Sequence, residues 1–174
     1  QRMIESGCME NPHVDYVLGL HMHPKYEVGM IGVKYGKMMA ASDEFKVTVH
    51  GKTCHGAHPE LGIDAVVIAS QIIVSLQSIV NRQISPLDSA VCSVGYINGG
   101  TTGNVIAGEV EFGGIIRTLD SSARKFLQDK IICIAEHTAL AMGGKATVEF
   151  RHSYGPLINN DLVTDIVKDN AIEV

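Results

Sequence analysis

Three of the eight histidines fall in one short stretch of the chain, at His50, His55 and His58. Imidazole can donate or accept a hydrogen bond, move a proton or bind a metal near neutral pH. A metal pair is disfavoured, because Pro59 limits helix formation beside His55 and His58 and no cysteine or acid at ligand spacing completes a set. The alternatives left open are an oxyanion donor and a solvated loop whose histidines take no part in chemistry.

Cysteine is the other reactive residue type near this stretch. Cys54 precedes His55, which suggests a nucleophile and its base, but adjacent loop residues rarely face each other, so this interpretation is disfavoured. The four cysteines are far apart and form no CxxC pair: Cys8, Cys54, Cys92 and Cys133. We therefore predict reduced thiols and a cytoplasmic protein.

Length and composition narrow the class of protein. The chain has 174 residues, 45% of them hydrophobic, enough for a real core. Its net charge of −5, without a basic stripe, argues against a nucleic-acid partner. No signal peptide is visible and the chain does not begin with Met, so we expect a fragment of a longer protein or an excised piece of one.

Alternating apolar residues predict the elements that hold the histidine stretch. The predicted order is strand 45–50, helix 62–82, strand 89–97, strand 109–118, helix 120–142 and strand 145–151. This βαββαβ order is typical of a ferredoxin-like α+β domain, with a four-stranded antiparallel sheet and two helices. The first helix would follow the histidine loop, with its positive end near Glu60 facing that loop.

The flanking segments read differently from this central domain. Residues 1–6 look like the end of a helix, residues 15–22 like a buried strand ending at His21, and 31–40 like a bent strand. Strand ends in open α/β sheets are common ligand sites, although spacing alone favours a histidine that only caps the strand. We place a domain boundary near residues 41 and 42 and expect a short helix from about Asp161.

The predicted first helix is more apolar than one buried face requires. No charged residue occurs between Asp64 and Arg82. A helix resting on a sheet needs an apolar face of about 100°, so the excess indicates a second contact surface. The seventeen intervening residues include Ser and Gln, and we expect them to be too short and too polar for a membrane span. Burial by another part of a longer chain is the alternative to a protein interface.

Four segments together resemble a known family. The run GKTCHGAHPELGID, residues 51–64, resembles the lid-domain signature of the metallopeptidase 20 family of aminoacylases, carboxypeptidases and N-acyl-amino-acid amidohydrolases. Three further segments agree in the family's order: Gly19-Leu20-His21, NGGTTGNVI at 98–106 and GIIRT at 114–118. Each motif alone is weak, but four in order are specific. Ala107 and Glu60 depart from the proline and histidine that the family often has there.

The resemblance implies a domain organisation. Residues 1–41 would be the end of a first catalytic-domain segment with a hinge. Residues 42–152 would be the ferredoxin-like lid, which forms a homodimer in this family. Residues 153–174 would return into the incomplete α/β catalytic domain.

The resemblance also implies a reaction. In this family a two-metal centre, usually zinc with manganese or cobalt as alternatives, activates a water that attacks the amide of an N-acyl amino acid. By position, His21 would be a metal ligand and His55 would stabilise the oxyanion. Asn104 and Arg117 would bind the substrate carboxylate. The base and the other ligands would lie outside this sequence, so we expect the fragment alone to be inactive.

Two other readings stay open. The chain could be a free-standing dimeric ferredoxin-like module that binds amino acids or regulates without catalysis, because fold does not fix function. It could also be a purely structural pairing domain. Without the resemblance, Arg117 would be read as an ordinary surface salt bridge.

Overall fold

The computed structural model describes residues 2–172, which form two compact units. The terminal unit runs up to Gly36 and continues from Asn159, and the sheet unit is Lys37–Ile158. The elements in chain order are α1 (Arg2–Glu5), β1 (Gly36–Met39), β2 (Ala41–His50), β3 (Cys54–His55), α2 (Ala65–Gln83), β4 (Ala90–Gly99), β5 (Val105–Ile106), β6 (Glu109–Thr118), α3 (Ser121–Ala141), β7 (Lys145–Tyr154), β8 (Leu157–Asn159) and α4 (Asp161–Ile172).

The sheet unit has the predicted ferredoxin-like architecture. Its four long strands lie in the order β4-β6-β2-β7, and every neighbouring pair is antiparallel. Two pairs of short strands form separate two-stranded sheets, β1 with β8 and β3 with β5. The alternation in the sequence therefore predicted the fold class correctly. β2 and β7 are longer than predicted, because pairing extends to Ala41 opposite Thr118 and to Tyr154 opposite Ser42.

The core lies between one face of this sheet and the helices α2 and α3. Along β2 the buried side chains alternate, with Phe45, Val47 and Val49 at 3% exposure or less. The helices contribute a row of fully buried residues, Ile68, Ile72, Leu76 and Ile79 from α2 and Leu127 and Ile131 from α3. Burying each such side chain contributes about 1.5–3 kcal/mol, so this layer holds the sheet unit together.

Asp64 determines where α2 begins. Its side chain accepts hydrogen bonds from the backbone N–H of Val66 at 2.9 Å and of Val67 at 3.1 Å. These bonds satisfy two donors that an uncapped helix would leave free, so the helix starts at Ala65. The predicted start at Gly62 or near Glu60 is wrong, because residues 59–61 form a separate 3₁₀ turn.

α2 has 19 residues, two more than the uncharged run. By length and composition alone it meets the criterion for a membrane-crossing helix, with a mean hydropathy of 1.4, contrary to our expectation. Six of its residues, however, are buried against the sheet and α3 (Ala65, Ile68, Ala69, Ile72, Leu76 and Ile79). A core helix can give the same composition, and packing accounts for these six positions.

A buried carboxylate ties α3 to two strands. Asp43 of β2 is 1% exposed and accepts hydrogen bonds from Arg124 Nε at 2.6 Å and from Arg124 Nη2. Gln128, also on α3, donates to the same carboxylate at 3.1 Å, and the Ser153 N–H of β7 donates at 3.4 Å. Burial opposes ionisation of Asp43, but the hydrogen bonds and charge of Arg124 outweigh burial and lower its pKa.

The terminal unit contains α1, α4 and a long segment without strands. Within it, Tyr35 Oη donates to Asp165 at 2.6 Å and α4 begins at Asp161 as predicted. The buried strand predicted over 15–22 is wrong, because this segment has no regular structure and its apolar residues are exposed, Val17 by 73% and Leu20 by 86%. A buried strand needs pairing partners, and residues 2–172 provide none for this segment.

Candidate functional site

Pairing of the two shortest strands brings His55 and Asn104 together. In the β3–β5 ladder Cys54 lies opposite Ile106 and His55 lies opposite Val105. The next backbone bond runs from the N–H of Gly56 to the carbonyl of Asn104, at 2.8 Å. His55 and Asn104 therefore lie at the same end of one small ladder, although they are far apart in sequence.

Hydrogen bonds on both sides fix this ladder to the four-stranded sheet and to α2. The N–H of Gly51 donates to the carbonyl of Gly108 at 2.8 Å, where β2 and β6 meet. The N–H of Ala65, the first residue of α2, donates to the carbonyl of Ala107 at 3.1 Å. The histidine loop is thus held by a strand end and a helix start, as expected for a loop that presents chemistry on a rigid scaffold.

His55 is exposed, and one of its ring nitrogens is engaged. Its Nδ1 accepts a hydrogen bond from the backbone N–H of Ala57 at 3.1 Å. A neutral ring in that arrangement carries its proton on Nε2. The ring centroid of His58 lies 6.2 Å away, and His58 Nδ1 lies 3.4 Å from Glu60. His55 can therefore offer an N–H donor to a ligand.

Asn104 lies in a tight turn at the end of the glycine-rich loop. The N–H of Val105 donates to the carbonyl of Thr102 at 3.2 Å, which closes the turn over Gly103 and Asn104. The hydroxyl of Thr102 donates to Asn104 Oδ1 at 3.1 Å. The amide nitrogen of Asn104 is therefore the end of the side chain turned away from Thr102.

Arg117 lies far from both of these residues. It is on the face of β6 opposite the helices, in register with Ser42 and Val91. Its Nη1 donates to the hydroxyl of Tyr154 at 3.4 Å. Eight residues separate it from Glu109, where β6 begins beside the ladder, so at about 3.3 Å per residue the gap is about 26 Å. One copy of the sheet unit does not place Arg117 beside His55 and Asn104.

A family comparison assigns the sheet unit. The model of the peptidase dimerisation domain of the M20 family matches residues 41–142, more than half of the chain. The chain belongs to the M20 peptidase family. The resemblance carried by the four sequence motifs is thereby confirmed.

Curated relatives of this M20 chain are hydrolases by name. An N-acetyl-L-cysteine deacetylase from Bacillus subtilis (strain 168) is 42% identical over 98% of this chain and 40% of its own length. An N-acyl-L-amino acid amidohydrolase from Geobacillus stearothermophilus is 39% identical over 92% of this chain and 43% of its own length. The chain thus spans about two fifths of the length of these relatives.

Solved structures agree with this assignment. A structure from methicillin-resistant Staphylococcus aureus has a TM-score of 0.90 and 30% identity, over 99% of this chain and 45% of that chain. A dinuclear metal-binding peptidase of the M20 family from Bacillus subtilis has a TM-score of 0.77 and 28% identity, over 99% of this chain and 42% of that one. The fold of the M20 chain is therefore that of its family.

His21, the predicted metal ligand of this M20 chain, lies in the terminal unit. It is exposed, and its Nδ1 lies 2.6 Å from the carbonyl oxygen of Met22. Because a carbonyl only accepts, Nδ1 carries the proton and Nε2 has a free lone pair, the form in which histidine binds metals. Within residues 2–172, however, no three histidine, cysteine or acidic side chains group as a metal site.

The cysteines of the M20 chain lie outside this chemistry. All four are free. Cys54 and His55 are successive strand residues, so their side chains leave opposite faces of β3. Burial raises the pKa of the Cys92 thiol to about 11, which makes it a poor nucleophile. The disfavoured Cys54–His55 pair is therefore not supported by the geometry either.

Tyr154 was missed by the sequence analysis. It contacts Arg117 across the sheet, but 37 positions separate the two residues, so no local spacing connects them. The predicted last strand ended at Arg151, whereas β7 continues to Tyr154. Following β7 for three more residues would have placed Tyr154 on the sheet.

Proposed function

We propose that the complete protein containing this chain is a metal-dependent amidohydrolase that cleaves the amide bond of N-acyl amino acids. Residues 42–152 would serve as its lid and dimerisation domain, with 1–41 and 153–174 as parts of the catalytic domain. The observation that carries the proposal is the ladder that joins the backbones of the His55 and Asn104 loops, where His55 keeps an Nε2–H for a ligand. The names of the relatives support the reaction class.

His55 would stabilise negative charge on the carbonyl oxygen under attack. Its Nε2–H is directed by a ring whose other nitrogen is already bonded to the Ala57 N–H. Donors fixed before the reaction act on the transition state without a cost of reorganisation, and removing one lowers kcat by about 10²–10³. The substrate polar groups would be bound by Asn104 and Arg117, with the planar fork of Arg117 suited to a carboxylate.

The separation of about 26 Å within β6 bears on how these residues cooperate. A single N-acyl amino acid is much shorter than that distance. His55 and Asn104 of one copy and Arg117 of a second copy would therefore contact the same substrate. The proposed enzyme is then a dimer whose sites each draw on both lids.

A surface of the sheet unit supports this pairing of copies. β4 is an edge strand without a charged residue, and α2 is uncharged up to Arg82. Exposed apolar side chains lie on both elements, namely Val66, Val67 and Val74 on α2 and, on the same side of the sheet as the helices, Ile97 on β4. The opposite edge strand, β7, carries Lys145, Glu149 and Arg151, which discourage strand pairing. We propose that a second copy of the chain covers the α2–β4 surface.

The proposed metal centre rests on fewer residues. Among the described residues, His21 would be one ligand, with its Nε2 free and its Nδ1 bonded to the Met22 carbonyl. We propose a pair of divalent metals, zinc in the first place, with manganese or cobalt as alternatives. When bound, such a centre activates a water for attack on the amide. The free thiols are in keeping with a cytoplasmic location, which we also propose.

Replacing His55 tests the proposed reaction. In the complete, metal-loaded protein, His55→Ala is expected to lower kcat for an N-acetyl amino acid by about 10²–10³ and to change KM by only a few-fold. His58→Ala, in the same loop and close to His55, is the matched control and should keep most of the activity. Unchanged turnover in His55→Ala would refute the role of His55, whereas binding of the N-acetyl amino acid without turnover by the wild-type protein, detected by calorimetry, would favour a binding module.

A further inference from the structure

We propose that Thr102 is a positioning residue, which turns the amide of Asn104 so that its nitrogen faces the ligand. This inference rests on the proposed function of Asn104 as a substrate-binding residue. An asparagine side chain has a donor end and an acceptor end of nearly the same shape. Which end faces an anionic oxygen decides whether Asn104 attracts or repels it.

In the structure the hydroxyl of Thr102 bonds to the oxygen end of the Asn104 amide. Thr102 Oγ1 donates to Asn104 Oδ1 at 3.1 Å. A reversed amide could bond to the same hydroxyl only if the hydroxyl rotated to accept from its N–H. Within the described part of the chain the amide nitrogen has no bonded partner. The N–H pair of Asn104 is therefore available to a ligand.

The backbone around Asn104 does not depend on that hydroxyl. The turn is closed by the N–H of Val105 on the carbonyl of Thr102 at 3.2 Å. The carbonyl of Asn104 is held by the N–H of Gly56 at 2.8 Å. Removing only the hydroxyl should thus release the rotation of the Asn104 side chain and leave the loop in place.

The neighbouring donor is directed in the same way. The N–H of Ala57 bonds to Nδ1 of His55 at 3.1 Å and leaves the proton on Nε2. The Nε2–H of His55 and the amide nitrogen of Asn104 are thus each oriented by one hydrogen bond within their own loop. Two N–H donors without an acceptor suit an oxygen that carries negative charge, either the substrate carboxylate or the oxyanion of the intermediate.

The test is a double-mutant cycle in the complete, metal-loaded protein. Thr102→Val keeps the shape of the side chain and removes the donor, and we expect kcat/KM to fall about five- to tenfold, the effect of one lost hydrogen bond. Thr102→Ser should restore most of the activity. In an Asn104→Ala background Thr102→Val should have no further effect, because its role passes through Asn104. Thr147→Val, on the exposed part of β7, is the control substitution.

The way kcat and KM change identifies the oxygen that Asn104 binds. A rise in KM with kcat unchanged assigns Asn104 to the substrate carboxylate, and a fall in kcat assigns it to the oxyanion. Wild-type kinetics in Thr102→Val, or an equal loss in the Asn104→Ala background, would overturn the role of Thr102.

Binding of an N-acetyl amino acid, measured by calorimetry on the same variants, separates this inference from the proposed reaction. Binding without turnover would refute the proposed hydrolase. The double-mutant cycle of Thr102→Val and Asn104→Ala, measured as changes in Kd, would then still test the role of Thr102. Absence of both binding and turnover would refute both proposals.

Discussion

At the scale of single residues, the approach of two loops depends on a glycine. A Cβ atom built on Gly56 would lie 3.0 Å from the carbonyl oxygen of Asn104. That oxygen also accepts the Gly56 N–H, so the absence of a side chain is what allows the short bond between the His55 and Asn104 loops. The spacing of the two loops is thus set by backbone contact.

Gly56→Ala is expected to push the Asn104 loop away from His55 by a few tenths of an ångström. We predict a loss of about tenfold in kcat/KM of the complete protein, since small displacements of positioned groups have large effects on rate. Gly103→Ala is the matched control, because a Cβ there meets no atom within 4 Å and should leave kinetics unchanged. Equal kinetics for the two variants would contradict a role for the close approach.

Residue types in the sequence identified His55 and Asn104 as candidates, but not their contact. The strands that join them, β3 and β5, have two residues each, too few to show alternation. The sequence also did not reveal the large distance between Arg117 and this pair, because that distance depends on the direction in which β6 runs and not on the number of residues between motifs. Both facts are properties of strand pairing, which a single sequence does not display.

At the scale of elements, α3 is locked to the sheet by the Asp43 carboxylate. Three elements meet at this group, with Arg124 and Gln128 from α3 and Ser153 from β7. Loss of the Asp43 charge would leave the guanidinium of Arg124 without its partner, although the Arg124 side chain is only 22% exposed. Such uncompensated charges are more damaging than the pair itself is stabilising.

Asp43→Asn is expected to lower the free energy of unfolding by about 3 kcal/mol. The pKa of Asp43 is lowered in the folded state, so its contribution is complete above the ordinary carboxyl range and is lost as pH falls below it. Urea unfolding of the wild type should show that loss below about pH 4, and the variant should show less of it. Glu44→Gln, whose exposed pair with Arg151 spans 3.5 Å, should cost less than about 0.5 kcal/mol.

The elements that the sequence predicted well are those in which apolar residues repeat regularly and a capping residue or a glycine marks the end. β6 has the predicted limits, Glu109–Thr118, and α3 follows its cap at Asp120 and ends before Gly143, whose φ is +80°. The apolar run over 15–22 misled the prediction, because a short apolar run shows neither a strand nor burial without knowledge of its partners. The start of α2 was missed because the capping role of Asp64 was not weighed against Pro59 and Glu60.

At the scale of the whole molecule, the uncharged α2–β4 surface is the feature that points to a second copy. Val74 is 66% exposed in the middle of α2, among residues that carry no charge. An isolated exposed valine needs no explanation, but a helix that is uncharged up to Arg82 beside an uncharged edge strand does.

Val74→Lys is expected to shift the protein from dimer to monomer in light scattering after size exclusion, since a buried unpaired lysine opposes association. Circular dichroism should stay unchanged, because Val74 faces away from the core. Leu140→Lys is the control, an equally exposed apolar residue (71%) on α3. If both variants remain dimers, the α2–β4 surface is not the interface.

Under the proposed sharing of a site between two copies, the length of β6 would make protein concentration a determinant of rate. One substrate would then need His55 and Asn104 from the first copy and Arg117, near the end of β6, from the second copy. A folded monomer would hold all three side chains but no complete binding site. On dilution below the dissociation constant of the dimer, activity per molecule would fall with concentration while the fold stayed intact. Association would then act as an on-switch, set by the amount of protein in the cell.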